Sequence, residues 1–569
     1  MTESKHPAER ATVLEVRDLT IGFGPDRGGI NVVHGVSFDL YAGEMLCIVG
    51  ESGSGKSVTA KALMRIGAPA KIRKGEIRLI GPMGDVVDIG SLQDKSEEMR
   101  AIRGDRIAMV FQEPMSSLSP VHTIGDQIIE SIMLHRDITK PDARTEAIAA
   151  LRRVQIPNPE SAIDMYTFEF SGGMRQRAMI AMALSCNPEV LIADEPTTAL
   201  DVTTQAEILH LLKRLQSELG MSVIFITHDT GVVAEIADRV GVMYNGRFAE
   251  IGPVKQIFHN AENRYTRHLI KASSQFTIFG DQNRGGTLPS PGAERILTVA
   301  NLNLTFRKST GMFFRRTVEN QALKNVSLTL NSGENLGIVG ESGSGKTTLV
   351  RALVGLLDTD SGSAIYHTKA GEMVDLFEPN ALRRKGLNQE IRMVFQDPFS
   401  SLNPRMTVEQ VIAEPLVVQG KLKRPQIRER VAELLRKVGL PETVMSRYPH
   451  AFSGGQRQRI SIARALAVNP RLIIADEATS ALDGSVRAQV LDLMFDLQTD
   501  LGLSYIFVGH DLGVVRYFCD RIAVMSKGEL VEIGTAQEIC QAPREAYTRK
   551  LISAVPSTDP DRRNIISFS

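Results

Sequence analysis

The stretch "GESGSGKS" at residues 50–57 returns as "GESGSGKT" at 340–347. It follows an apolar run each time, "EMLCIVG" in the first half and "ENLGIVG" in the second. It also precedes a segment of helical character. Both copies fit G-x-x-x-x-G-K-[ST], in which glycines let the backbone turn tightly so that successive N–H groups and a helix N-terminus surround phosphate oxygens. This reading assigns Gly50, Glu51, Ser52, Gly53, Ser54, Gly55, Lys56, Ser57 and Val58 to one phosphate cradle. Gly340, Glu341, Ser342, Gly343, Ser344, Gly345, Lys346, Thr347 and Thr348 form the other. Lys56 and Lys346 would contact the terminal phosphates, and the hydroxyls of Ser57 and Thr347 would ligate Mg²⁺.

The repetition extends far beyond the loop. "MVFQEP" at 109–114 matches "MVFQDP" at 393–398, and "FSGGMRQR" at 170–177 matches "FSGGQRQR" at 452–459. "LIADEPTTALD" at 191–201 matches "IIADEATSALD" at 473–483, and "FITHD" at 225–229 matches "FVGHD" at 507–511. From Ser171 and Ser453 through to Tyr265 and Tyr547 the offset is constant at 282. Length changes fall outside the matched stretches, as a duplicated domain with variable loops requires. The boundaries expected are 1–279 and 294–569, joined by the Gly/Pro/Ser-rich segment 280–293. About 14 extended residues reach at most ~50 Å, enough for two domains to swivel into a head-to-tail pair.

Strand-like apolar runs alternate with helical periodicity in both halves, so the fold class is α/β with a mostly parallel sheet. The segment "TTQAEILHLLKRLQSELG" puts Ile208, Leu211, Leu212, Leu215 and Leu219 on one helical face, with Gly220 as the stop. Helical patterns in "IGDQIIESIMLHR" and "ARTEAIAALRRVQI" predict a helical subdomain inserted at about 113–170, with its counterpart at about 397–452.

Composition narrows the function. The chain has 569 residues, 43% of them hydrophobic and 23% charged, the profile of a globular protein with room for two cores. Lys plus Arg and Asp plus Glu both number 66, so no net positive charge points to nucleic acid. The first residues are polar, without the apolar core of a signal peptide, and no apolar run approaches the ~20 residues needed to span a bilayer. Cys47, Cys186, Cys519 and Cys540 are scattered without a CxxC pair, which predicts buried thiols in place of disulfides or a zinc site.

Two apolar runs end in acid. Asp194 and Asp476 would hold Mg²⁺ through water, and Glu195 and Glu477 would act as general bases on the attacking water. His228 and His510 would contact the γ-phosphate and steady that water and its base. Gln112 and Gln396 would reach the metal and the nucleophilic water. "SGG" heading a helix is a further anion site, with a serine cap and free N–H groups.

The order of these motifs (phosphate loop, glutamine, "SGGxRQR", "ADE", "ALD", histidine) resembles the nucleotide-binding domains of ATP-binding cassette proteins, twice, over nearly the whole chain. The resemblance implies a RecA-like α/β core with a helical subdomain and an antiparallel β subdomain in each half. It also implies that each ATP, two per chain, is shared between the phosphate loop of one half and the SGG helix of the other. Lys56 would then share a nucleotide with Ser453, Gly454 and Gly455, and Lys346 with Ser171, Gly172 and Gly173. Asp201 and Asp483 would lie across the interface. Phe23 and Phe306 are candidates to stack on adenine, or else aromatics closing a strand end.

The tails "NRYTRHLIKA" at 263–272 and "EAYTRKLISAVP" at 545–556 resemble those of the peptide/opine/nickel importer subfamily, here with both ATPases fused, as in some oligopeptide and glutathione importers. The tails are expected at about 259–279 and 541–569. That likeness implies two transmembrane permeases, an extracytoplasmic binding protein, no nucleic acid, and a peripheral place on the cytoplasmic face of a bacterial inner membrane. Oligopeptide, dipeptide, glutathione, opine, oligosaccharide and nickel all remain open as solutes. Residues 259–295 contain no cysteine, so the iron–sulfur centre of many relatives is not expected. Ala478 stands where the first half has Pro196, and Gly509 where it has Thr227. "GMFFRR" at 311–316 is read as an exposed hairpin in preference to a membrane contact. The competing class, a tandem cassette acting on ribosomes or nucleic acid, would carry a long charged linker, which is absent.

Overall fold

The computed structural model describes residues 10–25, 28–67, 69–112, 117–198, 200–276, 294–310, 316–378, 381, 386–395, 397, 401–480 and 482–563. The linker read at 280–293 and most of "GMFFRR" lie outside them, as does Gln396.

Among the described residues the first half has ten strands: β1 Thr12–Phe23, β2 Ile30–Tyr41, β3 Met45–Val49, β4 Lys71–Ile80, β5 Val86–Asp88, β6 Ile107–Val110, β7 Val190–Asp194, β8 Ser222–Ile226, β9 Arg239–Tyr244 and β10 Arg247–Pro253. They form an antiparallel sheet in the order β2-β1-β4-β5 and a six-stranded sheet in the order β10-β9-β3-β8-β7-β6. The second sheet is parallel except at β10. The second half repeats the plan with β11 Arg295–Thr310, β12 Arg316–Asn331, β13 Asn335–Val339, β14 Ser361–His367, β15 Met373–Asp375, β16 Ile391–Val394, β17 Leu472–Asp476, β18 Ser504–Val508, β19 Arg521–Ser526 and β20 Glu529–Thr535. Its sheets run β12-β11-β14-β15 and β16-β17-β18-β13-β19-β20.

The apolar runs are unbroken because both faces of the parallel sheet are covered. All five residues of β3 are buried, and side-chain alternation sends them to different cores. Leu46 and Ile48 pack with Leu14, Val16 and Ile21 of the antiparallel sheet, while Cys47 and Val49 join the helical side with Ile128, Ile180 and Leu212. In β13, Leu336 and Ile338 face the antiparallel sheet and Val339 the helices. The four cysteines are all buried and free.

Between β6 and β7 the described chain is helical, with helices at Ile124–His135, Lys140–Arg153 and Gly172–Ala183. The counterparts are Val408–Gln419, Arg424–Lys437 and Gly454–Leu466. The helix Val202–Leu219 buries Ile208, Leu211, Leu212 and Leu215, leaves Leu219 half-buried, and ends at Gly220, whose φ of +65° suits glycine.

The chain divides into two compact units. One contains Met1–Leu200, Thr204–Ser273 and Pro556–Ser569; the other contains Asp201–Thr203 and Ser274–Val555. The segment after the last helix is therefore part of the first unit. There Ser557 N–H donates to fully buried Glu235 at 2.9 Å, Arg563 donates to Ala237 O at 2.7 Å, and Asp561 pairs with Lys255 and His259.

Candidate functional site

Each half gathers its phosphate loop, its paired acids and its histidine at the C-terminal edge of the parallel sheet, where open α/β sheets place their ligands. β8 lies between β3 and β7. The loop after β3, the acids ending β7 and the histidine after β8 are thus neighbours although up to 178 residues separate them in sequence.

The loop Gly50–Gly55 leads straight into the helix Lys56–Leu63, and Gly345 leads into Lys346–Leu353. Gly55 and Gly345 adopt φ values of 100° and 102°, open to glycine and strained for other residues. Lys56 Nζ donates to Gly50 O (2.8 Å), Glu51 O (2.9 Å) and Ser54 Oγ (3.3 Å). Lys346 Nζ donates to Gly340 O and Glu341 O, both at 2.8 Å. Burial lowers the Lys346 ammonium, an effect the charge of Glu477 counters.

Ser57 Oγ donates to Asp194 Oδ1 at 2.9 Å. Thr347 is likewise a partner of Asp476, whose Oδ1 is buried with no hydrogen bond among the described residues. Burial raises both carboxyls, each further raised by the adjacent glutamate. A hydroxyl beside a carboxylate with an unused buried oxygen is a donor set that fits a hard cation such as Mg²⁺.

Glu195 and Glu477 have φ values of 48° and 47°, the left-handed region that non-glycine residues avoid. Their N–H groups are anchored on the next strand, to Ile226 O and Val508 O, both at 2.9 Å. Strain of ~1–3 kcal/mol held by surrounding structure is typical of functional positions. Around the Glu195 carboxylate stand Gln112 Nε2 (2.9 Å), Thr198 Oγ1 (2.9 Å) and His228 Nδ1 (3.2 Å). Burial pushes the Glu195 carboxyl up, but His228, Thr198 and the charge of Lys56 outweigh it and hold it below the usual value. Glu477 shows the same balance, with His510 Nδ1 at 3.4 Å and Lys346. Ser480, at the position of Thr198, turns its hydroxyl to Glu477 O instead.

The other predicted residues take these places. Ser171 and Ser453 cap the helices at Gly172 and Gly454, accepting the N–H groups of Met174 and Gln456 at 3.3 and 3.4 Å. A Cβ on Gly173 would stand 2.6 Å from Thr204 Cγ2, and one on Gly455 would stand 2.2 Å from Val486 Cγ1. Close helix packing therefore demands these two glycines. Asp483 caps the helix Gly484–Leu501 through Val486 N–H, and Asp201 accepts from Thr203 Oγ1. Phe23 closes β1 opposite Ile30, whereas Phe306 lies opposite Asn320 and is exposed.

Sequence reasoning did not reach the left-handed glutamates, because no residue type signals such a φ. It also did not reach the capping aspartates: Asp229 and Asp511 each bind two N–H groups of the helix after the histidine.

The chain is similar to known proteins. The ABC transporter family profile matches residues 33–198 and 323–480. A profile for the C-terminal region of oligopeptide/dipeptide transporters matches 531–568. A glutathione import ATP-binding protein of Escherichia coli (strain K12) is 47% identical over 98% of this chain and 91% of its own length. A protein of the same name from Shigella flexneri shows the same identity and coverage.

Proposed function

The chain belongs to the ABC transporter family, and from that premise we propose that it powers uptake of peptides or glutathione through separate permeases. The observation that carries the hydrolytic reading is the doubled constellation at the sheet edge: a lysine-bearing phosphate loop, a buried aspartate beside a hydroxyl, and a glutamate next to a histidine. The identity over 98% of the chain to glutathione import ATP-binding proteins supports the transported class.

In this reading ATP enters with its phosphates on the loop N–H groups. Lys56 or Lys346 turns from the loop carbonyls to the β- and γ-phosphates. Ser57 with Asp194, and Thr347 with Asp476, would hold Mg²⁺. That ion supplies charge neutralisation across the phosphates. Glu195 and Glu477, kept ionised at neutral pH, accept a proton from the water aligned with the γ-phosphorus, and the γ-phosphoryl group passes to that water while ADP leaves. His228 and His510 hold the base and contact the γ-phosphate; Gln112 reaches the same water, and Gln396 would do so in the second site. Phe306, and Phe23 in the first half, would stack on adenine.

The two cassettes, 1–279 and 294–569 about a linker at 280–293, would each complete the other's site. Ser453, Gly454 and Gly455 close on the nucleotide of Lys56; Ser171, Gly172 and Gly173 close on that of Lys346, with Asp201 and Asp483 linking the two. Closure on ATP drives the permeases, and hydrolysis reopens the pair. Among the described residues no helix is long and apolar enough to cross a membrane. The chain would work from the cytoplasmic face, beside two permeases served by an extracytoplasmic binding protein.

Two measurements test this. Glu195→Gln with Glu477→Gln should lower steady-state ATPase at least about a hundredfold; unchanged turnover would contradict the assignment of the bases. Co-purification should bring down two hydrophobic permeases. Vesicles carrying them and the binding protein should then take up glutathione or a dipeptide only with ATP, and ATP-independent uptake would contradict the coupling.

A further inference from the structure

We infer that Tyr265 and Tyr547, one in each tail helix, are positioning residues of the two phosphate loops. The helices Arg264–Ser274 and Ala546–Ser553 lie over 200 residues after the loops they reach. Glu51 N–H donates to Tyr265 Oη at 3.4 Å, and Glu341 N–H donates to Tyr547 Oη at 3.1 Å. The contact thus occurs twice, at the same place in each unit.

The geometry gives it a purpose. Glu51 N–H and Gly50 C=O belong to one peptide plane. Its carbonyl accepts from Lys56 Nζ at 2.8 Å while its N–H is held by the phenol. The plane Gly340–Glu341 is clamped the same way, by Lys346 at 2.8 Å and Tyr547. Gly50 and Gly340 have φ values of 155° and 148°, and a glycine on one side leaves the plane freer to turn than any other residue would. The phenol removes that freedom and keeps doing so once the lysine leaves the carbonyl for ATP, which fixes where the following N–H groups are aimed.

The clamp is built into the cores. Tyr265 packs its ring 4.1 Å from that of Tyr244. Burial raises the Tyr547 phenol, which keeps its proton and has Ser526 as a further partner. A neutral phenol can accept the loop N–H and donate its own proton at the same time. The tyrosines act through the peptide and touch no reacting atom.

This rests on the reading that the two loops hold the phosphates of ATP. The test uses the full chain with Tyr265→Phe, Tyr547→Phe and both, since phenylalanine keeps the ring and its packing. MgATP affinity is read by calorimetry, KM and kcat by steady-state ATPase, and integrity by the melting midpoint. Losing one hydrogen bond per loop should weaken MgATP binding and raise KM roughly three- to tenfold per site, with kcat within about twofold and the melting midpoint nearly unmoved. The shorter contact makes Tyr547→Phe the stronger variant. Unchanged affinity and KM would overturn the inference, as would a fall in melting midpoint with KM unaltered. Wild-type chain that binds no MgATP would overturn the reading of the loops and the inference with it, a failure visible before any variant is made.

Discussion

The two cassettes share a fold and a set of motifs, yet the glutamates that follow β7 and β17 are held differently. Around Glu195 stand Gln112, Thr198 and His228, all within 3.2 Å. Around Glu477 the histidine is slightly farther, at 3.4 Å, and Ser480 faces the backbone. The histidine strands differ too: Thr227 receives Asp229 N–H, whereas a Cβ on Gly509 would stand 2.8 Å from Val515 Cγ2. The lesson is that duplication preserved the motif residues while packing around them drifted, so the halves should be unequal in degree and alike in kind.

The largest test of that inequality removes one base at a time. Glu195→Gln and Glu477→Gln should each cut turnover at their own site by roughly a hundredfold or more. The Glu477→Gln chain, left with the site whose histidine lies closer and whose Thr198 hydroxyl faces the carboxylate, should retain several times more ATPase than the Glu195→Gln chain. Equal residual rates would erase the distinction, and the reverse order would contradict it.

A second contrast lies at the other end of the sheets. Asp238 has Lys213 at 3.9 Å, but the second half carries Phe495 at the position of Lys213. Asp520, at the position of Asp238, accepts Asn335 N–H and is pushed up to about 6 by burial and by neighbouring Glu334. Because its folded value lies above the ordinary 3.8, the stability from this group is complete below about pH 4 and is lost as pH rises through about 6. The loss amounts to about 3 kcal/mol. Asp520→Asn should make the second unit more stable at pH 8 and flatten its stability between pH 4 and 7, measured by denaturant unfolding. A profile unchanged from wild type would refute the assignment.

Smaller effects should follow from the glycines that admit close helix packing. Gly455→Ala drives a methyl against stiff Val486 and Gly173→Ala against Thr204; each should cost about 1–3 kcal/mol, the former more, read as the shift in denaturant midpoint. The smallest effect belongs to Thr198→Val. Its kcat should fall two- to fivefold, while Ser480→Ala should leave kcat nearly unchanged. Equal losses would mean that the hydroxyl at this position does the same work in both halves.

Much of this was legible in the sequence for a physical reason. A strand buried on both faces must be an apolar run, so β3, β7 and β8 and their counterparts stand out, and the residues just beyond them must share one sheet edge. Lys56, Asp194, Glu195 and His228 could therefore be placed together before any coordinates. The Tyr265 contact with Glu51 could not, because a hydrogen bond across 214 residues leaves no local pattern. Nor could the docking of Ser557 and Arg563 within the first unit, since the repeat register alone assigns that segment to the half it follows. The left-handed glutamates were hidden because their strain is held by a neighbouring strand.

The central claim is that each half supplies what its twin's nucleotide lacks, and counting retained ATP tests it most directly. In the Glu195→Gln, Glu477→Gln background, Lys56→Ala combined with Ser453→Glu should damage one site only, leaving one tightly held ATP per chain. Lys56→Ala combined with Ser171→Glu should damage both, leaving none. If the second combination keeps one ATP and the first keeps none, each cassette binds its nucleotide by itself and the account is wrong.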